Sequence, residues 1–284
     1  MSVAEETLEQ LRSSVAERRR VGMETVEAVP LPRPVPVPAA WSTPPVLAPR
    51  AVAAPAPVSA AIPVAAPHVA LPAGDKPARW AALRELVLND PVCLKHVPAG
   101  KKIVVGSGSL DAKIFFCGDA PGEEEEVQGE PFVGPAGQLL TRMIQGMGLK
   151  REEVYLGYTM NWRPQIPAGL AGVQVGNRHP TEQEMNYCLP FLRAQIEVVQ
   201  PELIVALGGT AAGGLLGAHT FKSLGEVKGR WHEFAGRPVM VTYHPSYILQ
   251  SSSNRSKRGI WEDLLKVMER TGLPVSEKQR NFFL

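Results

Sequence analysis

Three stretches of this chain carry residue types suited to chemistry on a bound ligand. Gly118-Asp119-Ala120-Pro121-Gly122 is followed by an acidic run and then by Pro131-Phe132-Val133-Gly134. Asp119, at the lip of such a turn, supplies a carboxylate, and Phe132 across the loop supplies an aromatic plate. Tyr158 to Pro164 forms the second stretch. The third opens with His244-Pro245-Ser246-Tyr247 and reaches Arg258 through a run of three serines, an asparagine and three cations, a composition that suits phosphate contacts. Each stretch also has a plainer explanation: a tight turn with a solvated acidic run, a structural histidine, a polar surface. For the four glutamates alone, solvation is the better explanation. His244 stands out because Pro and Ser follow it and a basic segment comes next. No Ser-His-Asp pattern, Walker loop or dinucleotide fingerprint is present, and Gly208-Gly209-Thr210 lacks the lysine of a phosphate loop. Close helix–sheet packing accounts for those glycines.

The elements that must position these residues follow from periodicity. Ile114 to Cys117 is a short apolar run next to a glycine, as in a buried central strand, and a helix is expected to begin near Ala136. Strand, loop at its carboxyl end, then helix is where open α/β sheets bind ligands. Leu139, Leu140, Met143, Ile144 and Met147 mark the buried face of that helix. Val154 to Tyr158 and Leu203 to Leu207 read as further strands, and Ile103 to Val105 as a short one before a turn at Gly106 to Ser109. Thr181 with Glu184 makes a capping box for a helix reaching Val199, with a kink expected at Pro190. Trp231 to Phe234 and Val239 to Thr242 form a hairpin-like pair across Ala235-Gly236. One helical stripe runs through Trp80, Leu83, Leu86 and Val87, and another through Ile260, Trp261, Leu264, Leu265 and Met268. Strands alternating with helices predict a three-layer α/β/α sandwich with a mainly parallel central sheet. The three candidate stretches follow different strands and so can converge on one crevice.

Composition divides the 284 residues unevenly, with about half of the 27 prolines between Pro30 and Pro77. Residues 1–28 contain an amphipathic helical pattern at Leu8, Leu11 and Val15, a candidate docking element for a protein partner. Residues 29–78 read as a disordered Pro/Ala/Val linker, 79–273 as the folded domain and 274–284 as a C-terminal tail. The net charge of +2 permits nucleic-acid binding without arguing for it. Cys93, Cys117 and Cys188 form no zinc spacing, and an odd cysteine count without a signal peptide suggests a reducing cytoplasm. No stretch approaches the roughly 18 apolar residues of a membrane span. A monomer with no membrane contact is expected.

Taken in order, the motifs resemble family 4 of the uracil-DNA glycosylases. The resemblance rests on Gly-Asp-Ala-Pro-Gly (118–122), Gln-Gly-Glu-Pro-Phe-Val-Gly-Pro-Ala-Gly-Gln-Leu-Leu (128–140), Trp-Arg-Pro (162–164) and Asn-Arg-His-Pro-Thr (177–181). Pro-Glu-Leu-Ile-Val-Ala-Leu-Gly (201–208), Gly-Arg-Trp-His-Glu (229–233) and Val-Thr-Tyr-His-Pro-Ser-Tyr-Ile-Leu (241–249) extend it over roughly residues 80 to 270. It implies an enzyme that flips a nucleotide out of DNA and holds its base in a pocket. Phe132 takes the stacking position, and His244 the position that stabilises charge developing on the departing base. Asp119 stands where the family usually has Glu to position water. Glu125 matches a second pocket carboxylate, and the backbone amides around Gly118, Ala120 and Gly122 are expected to meet the base edge. The segment that enters the duplex and grips phosphates corresponds to Pro245, Ser246, Ser251, Asn254, Arg255, Lys257 and Arg258.

The chain departs from that family in three places. The Asn that reads the Watson–Crick edge of uracil is replaced by Tyr158, and a phenol cannot copy a flat amide's paired donor and acceptor. Asn161 is the nearest substitute, although strand alternation points it to the opposite face unless a bulge intervenes. The family's 4Fe–4S cluster takes four cysteines, whereas Cys93 and Cys188 remain and Trp162 stands at a third ligand position. No cofactor is therefore expected, with Trp162 filling the vacated volume. Finally, the connection from Arg163 to Asn177 is longer than usual and lies beside the pocket entrance. Together these features predict a DNA glycosylase for a modified or damaged pyrimidine, such as a hypermodified base of phage DNA removed in antiviral defence. Conventional uracil excision in repair and a non-catalytic DNA reader are the alternatives.

Overall fold

The computed structural model describes residues 65–166, 174, 176–251 and 253–284. The N-terminal amphipathic pattern and most of the Pro/Ala/Val linker lie outside the described residues. The first helix, α1 (Lys76–Leu88), starts where a helix should, with the Asp75 carboxylate accepting from the Ala78 amide and Pro77 in its first turn. Asp90 caps α2 (Pro91–His96) in the same manner through the Val92 and Cys93 amides.

Six strands form one sheet: β1 (Ser107–Gly108), β2 (Ile114–Gly118), β3 (Tyr155–Tyr158), β4 (Leu203–Leu207), β5 (Trp231–Phe234) and β6 (Arg237–Thr242). Their order is β1-β3-β2-β4-β6-β5. The four central strands are parallel, and β1 and β5 run antiparallel at the edges. All residues of β2, β3 and β4 are buried, as continuous apolar runs require when helices cover both faces. Alternation divides them between two cores. Ile114, Phe116, Leu156, Val205 and Met240 pack on α4 (Pro135–Gly146) and α9 (Asn254–Arg270). Phe115, Tyr155, Ile204, Ala206 and Val239 pack on α5 (Glu182–Val199) and α6 (Gly208–Leu216). The expected three-layer sandwich is present.

Several local expectations need correction. The glutamates after Gly122 are not a loop but α3 (Glu123–Gln128), where four acidic residues lie at the positive end of the helix. Ile103 to Val105 is buried but is no strand, because its link is to Asn161 beyond the end of β3; β1 lies instead in the expected Gly-Ser turn. The segment after His244 is not a loop either. It folds as α8 (Pro245–Ser251), and Ser253 then caps α9. After the short α7 (Leu224–Val227), Ala235 and Gly236, both at positive φ, close the β5–β6 hairpin. At the C-terminus, α10 (Glu277–Arg280) is fixed by a Ser276–Gln279 capping box. The Trp261 indole donates to the Gln279 carbonyl and the Gln279 amide to the Gly146 carbonyl, so these last residues belong to the folded domain.

A third core joins α1, α2 and the start of α5 around Leu83, Cys93, Met160, Trp162 and Cys188. It includes the positions where the family resemblance puts a 4Fe–4S cluster, and the residues there do not fit one. Cys93 and Cys188 offer two thiols, while Cys117 faces a different core. Trp162 has no solvent exposure and stacks on His96 with ring centroids 5.0 Å apart, so packed side chains fill the space. The hydrogen bond with Cys188, together with burial, pushes the Cys93 thiol far up.

Candidate active site

A cleft of about 360 Å³ opens at the carboxyl ends of the parallel strands. The segments following β2, β3, β4 and β6 all reach it, as the rule for open α/β sheets predicts. Asp119, Ala120, Gly122, Glu125 and Phe132 line it from one side, Tyr158 from behind, and His244 and Ser246 from another. Gly118 lies behind that lining as the last residue of β2.

Phe132 is held by unusual means. Its backbone adopts φ +53°, a left-handed conformation rare for a bulky L-residue. Its ring stacks on Tyr158 at 4.5 Å between centroids, and its amide donates to the Tyr158 hydroxyl at 2.9 Å. Burial first, then the Glu125 charge, raises the Tyr158 phenol well above its ordinary value, so it keeps its proton. Gly118 makes the stack possible: a Cβ there would come within 2.7 Å of the Phe132 ring and 2.8 Å of the Tyr158 ring. Glu125 is buried and fully employed, one oxygen accepting from the Val133 and Gly134 amides and the other from Gly122. It braces the loop behind the plate and, as expected of a second pocket carboxylate, it also lines the cleft.

His244 and Asp119 occupy the other side. The Ser246 amide lies 3.2 Å and its hydroxyl 2.7 Å from His244 Nδ1. Because a backbone N–H can only donate, Nδ1 is bare and the imidazole proton sits on Nε2. Burial lowers the His244 pKa despite the opposing Asp119 charge, leaving a neutral ring with one N–H donor at neutral pH. Gly208, at φ +90°, is what allows the ring so close, since a Cβ there would lie 3.0 Å from that of His244. Burial alone would raise the Asp119 carboxyl; the His179 hydrogen bond, His244 and the Ala120 amide outweigh it, and the carboxyl falls below its ordinary value. Asp119 is therefore ionised at neutral pH.

Sequence reasoning missed the wall formed by Asn177, Arg178, His179 and Thr210. Arg163 builds it from a buried ion pair with Glu126 at 2.8 Å, donating also to the Asn177 side chain and the Gly176 carbonyl. Arg178 adds a two-pronged bond to Glu184 at 2.7 and 2.6 Å. The signal available in advance was the Asn-Arg-His-Pro-Thr motif, whose role depends on these distant partners.

Some predicted contacts are placed elsewhere. Asn161 is buried outside the cleft, donating to the Val104 carbonyl at 3.0 Å, because β3 ends at Tyr158 and the chain turns away. Pro245 is buried as the first residue of α8, and Ser246 serves His244. The Arg258 guanidinium is spent on Glu262 and on the Arg280 and Phe282 carbonyls, and the Ser251 hydroxyl on Ser256. Asn254 and Arg255 remain exposed at the start of α9, with Lys257 half-buried beside them. Tyr247 and Leu249 also stand exposed on α8.

A parallel-sheet α/β domain here gathers the Phe132 ring, a neutral His244 and an ionised Asp119 around one cleft. Residues 105–265 match the uracil DNA glycosylase superfamily, more than half of the chain, and the chain belongs to that superfamily. It is 41% identical over 165 residues to a type-4 uracil-DNA glycosylase of Thermotoga maritima, covering 58% of this chain and 80% of that protein. A type-4 uracil-DNA glycosylase of Saccharolobus solfataricus is 38% identical over 176 residues, covering 60% and 76%. A DNA polymerase of Bacillus phage SP01 is 27% identical over 150 residues, covering 52% of this chain and 15% of the polymerase.

Proposed function

We propose that the protein is a monofunctional DNA glycosylase that hydrolyses the N-glycosidic bond of a pyrimidine nucleotide flipped out of DNA, leaving an abasic site. The observation that carries this is the convergence of Phe132, His244 and Asp119 on one cleft. Phe132 stacks the extruded base. As the C1′–N bond breaks, its electron pair leaves with the base, and His244 Nε2–H donates to the base oxygen on which charge collects. Asp119 orients a water toward C1′ and takes its proton. The exposed Asn254 and Arg255, with Lys257, contact phosphates, while Tyr247 and Leu249 face the gap in the helix.

Tyr158 favours a modified or damaged pyrimidine over plain uracil. Its hydroxyl accepts the Phe132 amide, so it presents at most one further donor where an amide would present a donor and an acceptor. A modified base of the kind phages place in their DNA, read by contacts other than an amide pair, would give the enzyme a defensive role. Uracil excision in repair is the second reading, favoured by the names of the type-4 relatives. The two-thiol core supports catalysis without an iron–sulfur cluster.

The test uses duplexes carrying uracil, hypoxanthine, hydroxymethylcytosine or glucosylated cytosine, followed by alkali cleavage of abasic sites. Strand scission on one of the pyrimidines, reduced about 10²–10³-fold by His244→Ala, is the expected result, whereas scission on hypoxanthine, a purine, overturns the pyrimidine assignment. Binding without scission across the panel overturns the enzyme reading in favour of a DNA reader. Scission on uracil alone decides for repair.

A further inference from the structure

Among the titratable side chains lining the cleft, His179 contacts Asp119 directly, yet the reaction above leaves it without a task. His179 Nδ1 lies 3.2 Å from Asp119 Oδ2 and 3.1 Å from Thr210 Oγ1. An ionised carboxylate only accepts, so Nδ1 carries a proton and donates it to Asp119. The imidazole is thus pinned between the loop after β2 and the start of α6, while its own segment is fixed by Arg163 and Arg178. Arg178 also donates to the His179 carbonyl, which sets the backbone from which the ring reaches inward. The Thr159 hydroxyl fixes the Asp119 carbonyl at 2.7 Å. Asp119 is thereby constrained at its main chain and at one carboxylate oxygen.

This convergence contributes little to folding. The His179 side chain is 81% exposed, and hydrogen-bonded pairs in contact with water add almost nothing to stability. What the contact does control is the direction of a carboxylate that is one methylene shorter than the Glu of the family resemblance.

We propose that His179 is a positioning residue for the glycosylase reaction: it holds Asp119 through Oδ2 so that the remaining lone pairs of the carboxylate face the water that attacks C1′. The inference rests on the proposed glycosylase reading. The proton balance is simple. The water proton passes to Asp119 as the C1′–O bond forms, and His179 keeps its own proton throughout.

The groups facing Asp119 are His179, His244 from the end of β6, the Ala120 amide and, through their charges or potential charges, Tyr158 and Cys117. Burial raises the Asp119 carboxyl, and the His179 bond is the largest influence opposing it. Removing that bond moves the carboxyl upward, so the loss of activity on acidification begins at higher pH. In His179→Ala the acid limb of kcat/KM is expected to move to higher pH, with a lower rate on that limb than in wild type. The rate above pH 8 falls as well, because the ionised carboxylate loses its aim, while KM and thermal midpoint stay unchanged, and His179→Asn, whose amide N–H takes the place of Nδ1–H, returns most of both effects. An unmoved limb, or an unchanged rate above pH 8, overturns the proposal. Carbon-detected NMR titration of the Asp119 carboxyl in both proteins gives a readout without substrate: an unchanged midpoint in His179→Ala also overturns it. Absence of excision by the wild type, by contrast, counts against the glycosylase reading and not against this contact.

Discussion

Tyr158→Phe separates the two services that Tyr158 performs for Phe132. The substitution keeps the stacked ring and deletes one oxygen, the acceptor of the Phe132 amide at 2.9 Å. Both residues are almost fully buried, with exposures of 6% and 3%, so water cannot replace the lost acceptor without entering the core. A buried donor left unpaired costs about 1–3 kcal/mol. Holding Phe132 at φ +53° already costs a similar amount, on the order of 1–3 kcal/mol, and the hydrogen bond is one of the contacts that maintain it. The variant should lose about 1–3 kcal/mol in urea unfolding, and its thermal midpoint should fall by about 2–4 °C per kcal/mol in a domain of this size. The plate should shift as the loop relaxes, and a displacement near 1 Å at a reacting centre costs about 10²-fold in rate. Urea titration and single-turnover excision on the substrate of the wild type measure both. Unchanged stability together with unchanged rate would refute the argument, because the Phe132 amide would then have an alternative partner and its conformation an independent support.

Three further outcomes follow from the same reasoning. Arg163→Met leaves the buried Glu126 with only Lys101, at 3.2 Å, and should cost about 3–5 kcal/mol in urea unfolding; a loss below 1 kcal/mol would mean that the pair is not the anchor of the Asn177–His179 wall. Purified protein should be colourless and free of iron after anaerobic incubation with iron and sulfide, and Trp162→Ala should lose about 3–5 kcal/mol through the cavity it opens. A brown protein absorbing near 400 nm would contradict the two-thiol argument.

The central strands were legible because apolar runs of four or five residues bounded by Gly or Pro leave few other structures open. That Asp119, Phe132 and His244 meet in one cleft was legible because loops after parallel strands converge, whatever their sequence separation. The opposite wall was not. His179 reaches Asp119 because Arg163 and Arg178 bind partners on α3 and α5, and such pairings have no local signature. Asn161 shows the limit of strand alternation, which says nothing once the strand has ended. Arg258 looked like a phosphate contact because its immediate neighbours are polar, whereas its partners are carbonyls more than 20 residues away at the C-terminus. The acidic run was misjudged as a loop for lack of apolar periodicity, and its helix is supported by a favourable dipole and by Glu125 bracing.

The Trp162–His96 stack has a consequence for how the domain comes into being. A site of four thiolates makes folding wait for a metal, so that iron supply, oxygen and chelators all govern the yield of native protein. In this chain a pair of aromatic rings closes the same region, and both are present as soon as the polypeptide leaves the ribosome. On the cluster-free reading proposed above, maturation is expected to need no cluster-assembly machinery, and the yield of folded protein is expected not to change with the iron content of the growth medium.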